Sequence, residues 1–108
     1  MATTTECVVK RFDRPDETRE FVDHGSVDII DLAGHTVGRG EFEPGWRWSR
    51  DVKPIAGTES CQASHLGYVV SGSMRVYMDD GPEHTLGPGD ACAIPPGHDA
   101  EVVGDEAC

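Results

Sequence analysis

The residues best suited to chemistry gather in the second half of the chain. Glu59, Cys61 and His65 share one parity in and just before a segment, Ser60 to Ser71, that reads as a β-strand. Side chains alternate across a strand, so on regular extended backbone these three donors face the same way. His98, just after the turn Pro95-Pro96-Gly97, adds a second imidazole. A carboxylate, a thiolate and two imidazoles suit a tetrahedral Zn²⁺ site, and one thiolate with imidazoles also suits Fe²⁺ or Cu. Four protein ligands would close the coordination sphere around a structural ion, whereas three would leave a position open for water or substrate. Each residue also has a plainer reading. His65 and Cys61 fit a buried core, His98 fits a turn cap acting through Asp99, and Glu59 fits a solvated loop edge.

Trp46 and Trp48 flank Arg47, so on extended backbone both indoles would share a face. They could line a pocket and stack on a ligand, or serve as core or dimer contact. Arg39 and Glu41 also share a face. Turned inward, Arg39 could anchor an anionic ligand; turned outward, the pair is an ordinary solvated ion pair. Asp99 and Glu101 are the acids nearest His98 and the only candidates for a general base there. His24, His35 and His84 lie beside turns and read as surface residues.

The elements that must position these groups are strands. Helix signals are nearly absent, with Pro15 to Glu20 the one plausible helical turn, or equally a loop. Candidate strands run over Cys7 to Phe12, Val27 to Leu32, Thr36 to Phe42, Ser60 to Ser71, Met74 to Asp79, Ala91 to Ile94 and Asp99 to Val103. Turns fall at Gly34, Pro44-Gly45, Ser71-Gly72-Ser73, Asp79-Asp80-Gly81, Gly87 to Asp90 and Pro95 to Gly97. Arg50 to Glu59 reads as a long loop. Tyr68, of opposite parity to His65, belongs on the outer face. Short strands broken by frequent turns make a sandwich or barrel, in one domain spanning 1–108.

The totals narrow the function. Twenty acidic residues against 9 basic ones give a formal charge of −11 over 108 residues. That argues against nucleic acid and against an anionic membrane surface as partners. No apolar run is long enough to span a bilayer and no signal peptide is visible, so the expected location is cytoplasmic, with the four cysteines as thiols. A chain this short builds a thin core, and a homodimer would bury more.

The stretch from about 57 to 103 resembles the cupins, small double-stranded β-helix (jelly-roll) barrels. Gly89, five intervening residues, then Pro95, Pro96 and Gly97 match the frame of the second cupin motif, and Tyr68-Val69-Val70-Ser71-Gly72 matches the end of the first. The resemblance implies an all-β fold with a metal or small-molecule site inside the barrel. The ligands depart from the family pattern. His65 stands at the usual Glu position, Glu59 and Cys61 at the usual His positions, and Ala100 at the final His position, with His98 sharing its parity. The family's three-His-one-Glu set therefore does not transfer residue by residue.

Two main functions follow. One is a metal-binding cupin whose divalent ion (Zn, Fe or another) and small-molecule site carry oxygenase, isomerase or hydrolase chemistry. The other is a non-enzymatic ligand-binding or sensor module, metal-free or with a structural metal. A third reading makes Cys61 a redox-responsive thiol. The chain also ends soon after its last strand, so either the barrel is trimmed or an N-terminal strand completes it.

Overall fold

The two-residue turn Ala33-Gly34 has positive φ at both positions (52° and 86°), the backbone twist that joins antiparallel strands tightly. It links β2 (Gly25–Leu32) to β3 (His35–Phe42), and β1 (Glu17–Glu20) pairs with the other edge of β2. This meander opens the fold in a computed structural model that describes residues 6–108. The segment that reads as a helical turn or a loop is thus largely strand. Its register sets Thr18 against Asp28, and their side chains hydrogen-bond at 2.8 Å. The candidate strand Cys7 to Phe12 makes no strand pairing.

Two short helical turns, α1 (Trp48–Asp51) and α2 (Lys53–Ala56), replace the expected loop. Five strands follow: β4 (His65–Tyr68), β5 (Ser73–Met78), β6 (Glu83–Leu86), β7 (Ala91–Ile94) and β8 (His98–Val103). They form a β4–β7 ribbon and a β6–β5–β8 sheet, all antiparallel. The ladders run in separate sheets, so hydrogen bonding is not continuous around the barrel. The long strand expected over 60–71 is shorter, and only an isolated bridge from Cys61 to His98 represents its start.

The chain end is tied down by backbone pairing. Phe42 and Cys108 exchange N–H···O bonds at 2.8 Å in both directions. β3 thus holds Cys108 against the meander. Gly72, between β4 and β5, has φ of 70°, and a Cβ there would overlap the Ala107 carbonyl. That overlap is the physical reason for glycine at the end of the first motif.

Alternation on β8 is regular: His98, Ala100 and Val102 are buried, and Asp99, Glu101 and Val103 are only partly so. The core joins Ala100 and Val102 to Val76, Trp46, Trp48 and Cys61. Trp46 meets Phe42 edge-on at 4.6 Å and Phe21 at 5.7 Å between ring centroids. The two tryptophans are therefore core. They do not share one extended segment, because the chain turns helical at Trp48.

Asp51 is 1% exposed and fastens α1 to the β1–β2 turn. Its carboxylate accepts the Arg47 N–H at 3.0 Å and an Arg50 guanidinium N–H at 3.1 Å, and His24 Nδ1 stands 3.2 Å away. His24 is thus half-buried against this acid. Burial opposes ionisation of Asp51, but Arg50, the Arg47 N–H and His24 outweigh it and hold its carboxyl below the ordinary range. A depressed folded-state pKa gives stability above the unfolded value, near 4, that is lost as pH falls through the folded value. Asp51→Asn is therefore expected to cost roughly 2–3 kcal/mol at pH 7. Urea unfolding should show that gap between wild type and variant shrinking below about pH 4. A gap independent of pH would contradict the assignment. No helix among the described residues is long and apolar enough to cross a membrane.

Candidate metal centre

Cys61 reaches His98 through backbone, not through a long strand. The Cys61 N–H donates to the His98 carbonyl at 2.7 Å, and the Gly97 N–H donates to the Cys61 carbonyl at 2.7 Å. These bonds draw the Cys61 thiol up to the first inward residue of β8. β4 brings His65 in from the opposite sheet, where it pairs with Ile94 of β7. The result is a cluster of Cys61, His65 and His98 whose donor atoms all lie within 4.8 Å of one another.

The geometry fits a metal ion. Donors at 2.0–2.3 Å from a tetrahedral ion stand about 3.3–3.8 Å apart, and Cys61 Sγ is 3.5 Å from His65 Nε2. The His65 and His98 rings meet edge to face with centroids 5.2 Å apart. His98 is 3% exposed, and its Nδ1 lies 2.8 Å from the Pro95 carbonyl oxygen. A carbonyl can only accept, so Nδ1 carries the proton and donates it there. Nε2 is left as the free lone pair, the arrangement that orients metal-binding histidines. Pro95 belongs to the second motif, so the motif's turn orients the His98 ring. Burial, with His98 adding to it, pushes His65 below the ordinary imidazole range. That favours the neutral, ligating form.

A solvent-open cavity of about 580 Å³ runs along β5, β6 and β7, and none of the three donors lines it. Met78 and Ile94 line it, and they are the cross-strand partners of His98 and His65. Val76, Leu86 and Cys92 extend the wall. His84 is exposed, as its place after a hairpin turn suggests, and it also borders the cavity. Only its pairing with the inward Val76 reveals that it faces the cavity.

The remaining expected site residues lie elsewhere. The Glu59 side chain is 97% exposed and pairs with Lys53 at 3.0 Å, so it stands outside the donor cluster. Trp46 and Trp48 are buried in the core, with no face free for a ligand. Arg39 is exposed on β3 with its guanidinium 6.0 Å from the Phe12 ring, far from an inward anchor. Asp99 serves the scaffold: it accepts the Ser49 N–H at 3.0 Å, capping the first turn of α1, and pairs with Arg47 at 3.3 Å. Glu101 accepts from Arg47 at 2.9 Å and from the Tyr77 hydroxyl. Neither acid is left free to act as a base. All four cysteines are free thiols.

The motif frame and the antiparallel sheets agree with the family match. The cupin domain family matches residues 56–108, and the chain is a small cupin-domain protein. No curated protein and no solved structure matches it.

Proposed function

We propose that this chain is a metal-binding cupin in which Cys61, His65 and His98 hold one divalent ion beside a small-molecule site. The observation that carries the reading is the donor cluster itself, with His98 oriented by the Pro95 carbonyl. Three protein donors match the count of sites that keep a position open for water or substrate. A thiolate with two imidazoles favours Zn²⁺ and also suits Fe²⁺. Such an ion supplies Lewis acidity to whatever oxygen or nitrogen it meets.

The protein's own residues set the surroundings. Val76, Met78 and Ile94 give the cavity part of an apolar lining, and Asp80, Thr85, His84 and Asp90 add polar groups. Its volume suits a ligand of small-metabolite size. His84, Asp80 and Asp90 are polar groups of that wall that could hydrogen-bond a bound molecule. The open coordination and the adjoining cavity favour a metal-dependent enzyme over a module with a closed structural ion.

Titration of the apo-protein with Co²⁺ tests the reading. The expected result is saturation near one equivalent with thiolate-to-cobalt charge-transfer absorption in the near ultraviolet. Saturation without that absorption would remove Cys61 from the site, and no saturable binding would end the proposal. Glu59→Gln is expected to leave both stoichiometry and spectrum unchanged, because its carboxylate faces solvent.

A further inference from the structure

Asp79, just past the end of β5, bonds to both segments that carry the buried donors. Its N–H donates to the Gly97 carbonyl at 2.9 Å, and its carboxylate accepts the Ser60 hydroxyl. Asp79 thus joins the turn before His98 to the residue before Cys61. Its neighbour Met78 pairs with His98 in the β5–β8 ladder, so the carboxylate starts from a fixed strand end. The carboxylate passes close over Gly97. A Cβ there would stand 3.2 Å from Asp79 Oδ2, tighter than side chains ordinarily pack, so glycine keeps the way clear.

Ser60 is polar yet only 7% exposed. Its hydroxyl donates to Asp79 and accepts a Gln62 side-chain N–H at 3.0 Å, while its carbonyl accepts the Thr58 hydroxyl at 2.7 Å. No ladder holds this stretch, because the bridge from Cys61 to His98 is isolated. One bridge pins the backbone at a point and leaves the segment free to pivot. The Ser60–Asp79 bond adds a second point one residue away. Ligation needs that second point, since donor distances must be met to about 0.2 Å.

We infer that Asp79 is a positioning residue of the metal centre: its carboxylate, acting through Ser60, holds the Cys61 thiol against His65 and His98. The consequence for metal rests on the proposed function, and Asp79 is not itself one of the donors. The main-chain bond from Asp79 to Gly97 survives substitution of the side chain, so a variant probes the Cys61 arm alone.

Two measurements on the full chain test it. The first needs no metal: the rate at which iodoacetamide alkylates Cys61 in the apo-protein, read by peptide mass spectrometry. Cys61 is 8% exposed and should react slowly in wild type. Asp79→Ala and Ser60→Ala should each speed the reaction about tenfold or more, because losing a hydrogen bond to a charged acceptor lets a segment open locally. The double variant should react no faster than either single one. Cys108, half-buried and paired with Phe42, should keep its rate in the same samples. The second measurement is Co²⁺ affinity, which Asp79→Ala should weaken about 10–100-fold. Asp79→Asn keeps an oxygen that accepts the Ser60 hydroxyl, and it should stay near wild type in both. Unchanged Cys61 labelling in Asp79→Ala and Ser60→Ala would overturn the inference. Equal acceleration at Cys108, or faster Cys61 labelling with undiminished cobalt affinity, would overturn it as well. Faster Cys61 labelling in a chain whose wild type binds no cobalt would end the metal reading while upholding the hold of Asp79 on Cys61.

Discussion

Replacing either Cys61 by serine or His65 by alanine is expected to lower the affinity for Zn²⁺ by about 100-fold or more, the loss that follows when one of few protein donors is removed. Elemental analysis of reconstituted wild type should return close to one equivalent of metal. The variants should lose it on dialysis against a weak chelator. The two substitutions probe different links. Cys61→Ser keeps the size of the side chain and the backbone bonds to Gly97 and His98, so a loss reports the thiolate alone. His65 is exposed on the short strand β4, so its removal should leave the fold intact. His98→Ala should lose metal too, but it empties a buried position beside Met78. Thermal unfolding must therefore accompany that variant. Metal retained at full stoichiometry in both Cys61→Ser and His65→Ala would refute the centre.

The second large effect concerns stability. Trp46→Ala is expected to cost roughly 3–5 kcal/mol, the range for emptying a buried aromatic position. Trp46 is 4% exposed and touches Phe21 and Phe42, while its carbonyl accepts the Val102 N–H at 2.9 Å. It therefore joins the N-terminal meander to β8. Removing its ring separates the two parts of the core, and a domain of this size should lose more than about 10 °C in melting temperature. Trp46→Phe is expected to be much milder. The indole Nε1–H is buried with no partner, so the shorter ring forfeits area but also removes an unsatisfied donor. Equal losses for Phe and Ala would assign the indole a polar role. Calorimetry on both variants separates the cases.

Much of the architecture is readable in the order of residues. Turn chemistry marks the hairpins at Gly34 and Gly81, and the alternation of β8 shows which side chains face in, because both are local properties of backbone and pattern. The motif frame from Gly89 to Gly97 announces the cupin domain for the same reason: its glycines and prolines answer to turn geometry within a few residues. His65 and Cys61 were also legible as donors, since their residue types and common parity already suggest one face. The fold does bring these side chains together, but not for the reason parity suggests. Cys61 is held by bonds to Gly97 and His98, distant in sequence, and no regular strand joins it to His65.

What residue order left open was decided by partners brought from elsewhere in the chain. Glu59 shares the parity of the donors but stays in solvent, because the strand has not begun there and Lys53 is its nearest charge. Asp99 resembled a site acid until α1 turned its first N–H groups toward it. Trp46 and Trp48 looked free to meet a ligand until Phe21 and Phe42 closed over Trp46 and the helical turn carried Trp48 into the core. Cys108 pairs with Phe42, a contact that no local pattern announces. Local pattern determines which residues are extended, turned or donor-bearing. Burial and long-range hydrogen bonding determine which of those donors meet, because desolvation and pairing depend on the whole fold.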